Sequence, residues 1–375
     1  MLFKSMNDMI NYFYGADNDV AKTDAPVLSS TTGVYNAVYG AAAFNQLNSE
    51  ANVFAALPKY PWRKSGWRVI TADAGSAAAG GVSEGGAIPD TIKPTFAEVA
   101  ATPKEVVHSF EISTKMQRLA GTDDDTITGV ETLRAYHADL HAKRINEMLC
   151  VDMNTLAGTG FESIDRVTGT AAENTALSYT SGDEDIYGID RSASSWADAV
   201  CDHNSGTDRT LTMDLITSTL ATLQGNGART NLIITGTDTY WRIVEMADSQ
   251  VRYQGVLQKD AMVQIGVNGV QTEEGINAGV RVATLFGIPI IKSQSVAQDT
   301  ISRIYLLDTT EQAGTGVPRL GIAILAPTMY FETGMDAADN NPFVTGTLSS
   351  KGMYYTAGEL VCTFFKGQGK IRDLK

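Results

Sequence analysis

A chain of 375 residues, 43% of them hydrophobic, can build two domains or one large irregular one, and this apolar content excludes a disordered polymer. Its 29 basic and 43 acidic residues leave a net charge of -14, so a surface that grips phosphates throughout is excluded and nucleic-acid contact should be local or weak. Cys150, Cys201 and Cys362 lie far apart without a Cys-x-x-Cys pair, which argues against zinc or redox work and fits a reducing, cytoplasmic setting.

The opening MLFKSMNDMINYFYG is interrupted by Lys4, Asn7, Asp8 and Asn11, so it does not read as a secretory signal. No stretch approaches the roughly 20 apolar residues of a membrane span, and no membrane role is expected. Leu2, Phe3, Met6, Met9, Ile10 and Phe13 recur at helical spacing, and Val34, Val38, Ala41, Phe44 and Leu47 repeat the pattern before Pro58 and Pro61 break the chain. This first portion reads as an arm. From Trp67 to Phe110, WRVITAD and FAEVAATPKEVVHSFEIS predict two strands around the glycine-rich GSAAAGG and VSEGGAIPD. The connection is too long for a tight turn and predicts a projecting loop.

Asp123, Asp124 and Asp125 supply the oxygens and negative charge that a helix N-terminus favours. Ile127, Val130, Leu133, His137, Leu140, Arg144, Met148 and Leu149 then predict one long helix from about Asp124 to Leu156, roughly 50 Å in length. Residues 161–210 are polar and divided by Gly169, Gly182, Gly188 and Gly206, with a brief helix expected near Trp196. Beyond Thr210 the apolar signal returns as a helix through Met213, Ile216, Leu220 and Leu223, a buried strand NLIIT, and a helix carrying Tyr240, Trp241, Ile243, Val244 and Met246. The runs RVATL, FGIPII, RIYLLD, LGIAILA and MYYTAGELVCTFFKG predict further strands.

Chemical motifs are sparse. His137 and His141 share a helix face at a spacing zinc can use, but the intervening residues lack the glutamate of a zinc protease and no third histidine is near in sequence. Glycine clusters at Gly158–Gly160, Gly225–Gly227 and Gly314–Gly316 lack the lysine and hydroxyl of a phosphate loop, and read as loop punctuation. Asp183, Glu184, Asp185, Glu273 and Glu274 read as solvated acidic turns. Arg63, Lys64 and Arg68 interleave with Trp62 and Trp67, a pattern that can hold phosphate or stack on a partner, and contact with another subunit is the preferred reading.

The order of these segments resembles the Hong Kong 97 capsid fold of the major capsid proteins of tailed double-stranded DNA viruses. The similarity is carried by VSEGGAIPDTIKPTFAEVAATPKEVVHSFEIS, which resembles the extended loop leading to the spine helix, by NLIITGTDTYWRIVEM, which resembles the axial-domain strand and helix, and by LFGIPII. It implies an α+β fold with an N-terminal arm (1–56), an extended two-stranded loop (57–110), a peripheral domain (111–205 and 330–375) with the spine helix, and an axial domain (206–329). It also implies a shell subunit without catalytic site, metal or cofactor, assembled in the host cytoplasm into hexamers and pentamers of a virion, around DNA held by weak non-specific contact. Separate scaffold, portal and cement proteins are further partners it admits.

In some members of that family a lysine of the extended loop is joined to an asparagine of a neighbour. Lys93 matches the lysine, whereas TGTLSSKGMYY offers no asparagine and Asn340 and Asn341 come too early, so an uncrosslinked shell is expected. Glu84, in the loop, is expected to pair with a basic group of a neighbouring subunit. The short amphipathic start in place of a long charged helical segment implies scaffolding by another protein, or none. Two other readings stay open: an encapsulin-like nanocompartment shell, and a metal-dependent hydrolase using His137 and His141.

Overall fold

The computed structural model describes residues 27–28, 52–72, 83–86, 93–115, 118, 129–156, 158–254, 284–312, 315–334 and 346–375. The expected arm helices, the loop tip at 74–81 and the acidic helix start at 123–125 lie outside them. The chain forms two compact units, one from Met1–Glu50, Glu105–Arg144 and Ala326–Ala357, the other from Ala51–Lys104, Ile145–Leu325 and Gly358–Lys375. Helices and strands are mixed in both, as the expected α+β class requires. No helix among the described residues is long and apolar enough to cross a membrane.

The first unit is built on long strands against one helix. Strand β1 (Val27–Leu28) pairs in parallel with β5 (Lys104–Ser113), and the five-stranded sheet runs in the order β1, β5, β12 (Ser349–Cys362), β11 (Leu320–Gly334), β2 (Lys59–Pro61), the last pairing with Ile322–Ile324 of β11 among residues of the second unit. Alternation along β5 buries Val106, Phe110 and Ile112 and leaves Val107 exposed, the period-two pattern of a strand with one covered face. Gly352 on β12 lets that face close, since a Cβ there would stand 2.6 Å from the Phe110 ring.

After the short α1 (Asn52–Ala56), helix α2 (Gly129–Cys150) is the expected long helix, with Leu133, His141, Ile145 and Leu149 buried. Its C-terminus corrects the expectation. The helix stops at Cys150, not Leu156, and its 22 described residues span about 33 Å. Asp152 ends it by accepting the Asn154 backbone N–H at 3.3 Å, which opens a 3-10 turn at Met153–Thr155.

In the second unit the six-stranded sheet runs β6 (Val200–Asp202), β13 (Gly369–Ile371), β10 (Ile304–Leu307), β7 (Leu232–Thr235), β9 (Ile288–Lys292), β8 (Thr284–Leu285). All four residues of β7 and of β10 are buried, as their unbroken apolar runs dictate for central strands. Helices α5 (Met213–Gly225) and α6 (Thr237–Gln254) add Ile216, Leu220, Leu223 and Ile243 to a core shared with Ile233, Ile290, Ile304, Leu306, Ile371 and Leu374. Thr212 caps α5 through its side chain.

The polar stretch expected to be mostly turns contains two capped helices, α3 (Ile164–Val167) and α4 (Ala171–Leu177). Ser163 and Thr170 are their caps. The same unit carries a hairpin of β3 (Gly66–Ala72) and β4 (Thr95–Ala100), antiparallel in the register Gly66↔Ala100, Arg68↔Glu98, Ile70↔Phe96. Two strands therefore do flank the glycine-rich segment.

Candidate functional site

The expected contact residues Arg63, Lys64, Arg68, Glu84 and Lys93 are all exposed. Arg68 donates from Nε and Nη2 to Glu98 Oε1 at 3.1 and 3.0 Å across the hairpin, with the two side chains 72% and 76% exposed. Such a solvated pair contributes about 1 kcal/mol or less, so its stabilising role within the subunit is small. Two rungs on, on the same face, Ile70 and Phe96 face each other with 62% and 57% of their surfaces exposed. An apolar pair left open on a hairpin is a surface that association can cover.

The interleaved pattern splits in space. Trp62 and Trp67, with Tyr60 and Tyr187, pack against Ala101, Ala323 and Val361, and Trp67 meets Tyr187 edge-on at 5.5 Å. The half-buried tryptophans thus pack at the base of the hairpin, while Arg63, Lys64 and Arg68 are exposed. Glu84 sits in a turn closed by the Gly86 N–H donating to Ser83 O at 2.8 Å, where Gly85 takes a φ of 77°.

His137 and His141 reach different partners. His137 Nδ1 lies 2.8 Å from His108 Nε2, with the Phe110 ring stacked at 4.3 Å, whereas His141 Nε2 lies 2.8 Å from Thr356 Oγ1. Strand β5 supplies a neighbouring histidine that sequence spacing did not reveal. Burial, with the nearby His108, brings the His137 pKa down to about 4, and burial lowers those of His108 and His141 too. These imidazoles are neutral around pH 7. Among the described residues no group of three or more His, Cys, Asp and Glu is arranged to hold a metal.

The densest polar assembly escaped the sequence reading. Arg303 donates from Nη1 to Asp165 Oδ1 at 2.9 Å and from Nη2 to Asp299 Oδ1 at 2.9 Å, and it also pairs with Asp152. Lys370 Nζ stands 3.2 Å from Asp165 Oδ1 and 2.7 Å from Glu173 Oε1, which also accepts from Arg372 Nη1 at 2.6 Å. Burial alone would raise the Asp165 pKa, but Arg303, Lys370 and Arg372 hold it well below the usual carboxylate range. The same carboxylates keep Lys370 charged against its burial. These charges are paired with one another inside the unit, which suits a structural lock.

Cys150 and Cys362 are buried, and burial pushes both thiol pKa values up to about 12.

No family model matches the sequence, and no curated protein matches it. Solved structures do. A chain of the cyanophage A-1(L) capsid asymmetric unit is similar with a TM-score of 0.58 at 17% identity, covering 89% of this chain and 95% of that one. A chain of the capsid of a native GTA particle gives a TM-score of 0.50 at 14% identity, covering 88% of this chain and 92% of that one. A holo-SrpI encapsulin complex from Synechococcus elongatus gives 0.49 at 13% identity, covering 91% and 93%. Over nearly its whole length, this chain has the fold of a phage capsid protein.

Proposed function

We propose that this chain is the major capsid protein of a tailed double-stranded DNA virus, a subunit that assembles with copies of itself into a closed icosahedral shell. The observation that carries this reading is the fold shared with the cyanophage capsid chain across 89% of this chain and 95% of the other. The exposed Ile70–Phe96 pair supports it, because a hairpin with open apolar side chains calls for a covering partner. In this reading the segments follow the Hong Kong 97 plan: arm 1–56, extended loop 57–110, peripheral domain 111–205 and 330–375, axial domain 206–329. Hexamers and pentamers of axial domains form the capsomers, and arms and extended loops tie neighbours together.

Arg63, Lys64, Arg68, Glu84 and Lys93 are the proposed polar contacts between subunits. The chain acts by geometry and not by catalysis, and its negative charge leaves packaged DNA free to move. Electron microscopy of purified protein tests the reading: closed shells support it, and a monomer under every assembly condition refutes it. Shells purified from the native source and filled with DNA separate a virus from an encapsulin-like compartment, which would hold cargo enzymes instead.

A further inference from the structure

Strands β8 and β9 are joined by two residues, Phe286 and Gly287, between the pairs Leu285↔Ile288 and Thr284↔Pro289. Both connecting residues take left-handed backbone, with φ of 52° and 80°. This is the geometry of a primed hairpin turn, in which both central positions favour glycine, asparagine or aspartate. A phenylalanine at the first position carries the steric penalty of a bulky side chain at positive φ. It also leaves 61% of its surface exposed. Backbone strain and open apolar surface both count against Phe286 in the isolated subunit, and asparagine would relieve both. Nothing within the described subunit accounts for this choice, whereas burial in another molecule does.

The topology also offers a receiving surface. Strand β9 runs parallel to β7, and α6 starts just after β7 ends, so the Phe286 turn and the start of α6 lie at opposite ends of these strands. Trp241, in the first turns of α6, is 60% exposed and touches Tyr240 edge-on at 5.5 Å. One unit thus presents an exposed aromatic group towards either end of its sheet. A head-to-tail contact, which joins two different patches and closes into rings, needs such a pair.

We propose that Phe286 is a knob that inserts into an apolar surface of a second copy of this chain, with Trp241 of that copy in the receiving surface. The proposal rests on the shell reading and adds to it a specific contact within its rings. The full chain carrying Phe286→Asn or, separately, Trp241→Ser is compared with the unsubstituted protein by thermal melting of unassembled subunits and by sedimentation across a concentration series. For Phe286→Asn the expected result is a subunit Tm unchanged or raised by about 2 °C. The concentration needed for assembly should rise by about tenfold or more, and Trp241→Ser should raise it in the same way. Normal assembly of Phe286→Asn overturns the knob, and normal assembly of Trp241→Ser overturns the receiving surface. A lowered subunit Tm for Phe286→Asn also overturns the proposal, because it would mean that the chain's own residues 255–283 cover this position. If the unsubstituted chain never assembles, the shell reading falls and takes the contact with it.

Discussion

Glu359 is 1% exposed, and its Oε1 accepts the backbone N–H groups of Glu162 at 2.7 Å and Leu360 at 2.9 Å. Burial pushes its pKa up to about 8, the two N–H groups pull it back, and the neighbouring Glu162 carboxylate adds to the rise. The protonated form is therefore favoured in the fold, and the stability it brings is complete below the unfolded pKa near 4.5 and lost as pH rises through 8. Melting followed by circular dichroism should show Tm falling between about pH 4.5 and pH 8, and Glu359→Gln should flatten that fall. Identical slopes in the two proteins would refute the assignment.

Asp165 acts in the opposite sense. Its pKa is depressed, so its contribution is present at neutral pH and disappears in acid, as protonation breaks the pairs with Arg303 and Lys370. Replacing it with asparagine leaves two buried cations under-neutralised and should cost about 3–5 kcal/mol, read from urea unfolding. A loss under about 1 kcal/mol would show that the network is solvated and weak.

Among the elements, β13 has an importance out of proportion to its three residues. It pairs in parallel with β6 and antiparallel with β10, and it brings Lys370 and Arg372 to Asp165 and Glu173. Deleting residues 369–375 strips β6 of its neighbour in the sheet, removes both cations paired with Glu173 and leaves Asp165 with Arg303 alone, so cooperative unfolding of this unit should vanish in calorimetry. A retained sharp transition would contradict that. The loop tip should behave differently: deletion of residues 74–81 leaves the β3–β4 ladder in place, so subunit folding should persist while shell formation is weakened or lost. Circular dichroism with sedimentation separates these outcomes, and either an unfolded variant or normal shells would defeat the prediction.

What the sequence disclosed follows from the range of the forces involved. Long periodic runs announced β5, β7, β10, β11 and β12 and helices α2, α5 and α6, because each buries a continuous face. The end of α2 was misplaced, since apolar spacing persisted through Leu156 while the local oxygen of Asp152 opened the turn earlier. The Thr170-x-x-Glu173 spacing is a cap signal, but the glycines that divide this stretch outweigh it in the sequence and predict turns. The ion network was illegible because its partners stand far apart, as Lys370 and Asp165 do at 205 residues. The hairpin cations stand out in the sequence by their interleaving with Trp62 and Trp67, but the packing of the two tryptophans depends on Ala323 and Val361, remote in the chain.

At the scale of the whole molecule, the fold matches capsid chains over nearly its full length although only 17% of residues are identical to those of the cyanophage chain. What is shared is the arrangement of buried faces, which many sequences can supply. Uncrosslinked assembly is expected, so denaturing gels of mature particles should show only the 40.1 kDa band, and a ladder of multiples would refute it. The most direct test of the central claim is electron microscopy of the purified full chain under assembly conditions. The account predicts closed, uniform shells with icosahedral symmetry built from this chain alone or with scaffold, whereas monodisperse monomers at every concentration, pH and salt would contradict it.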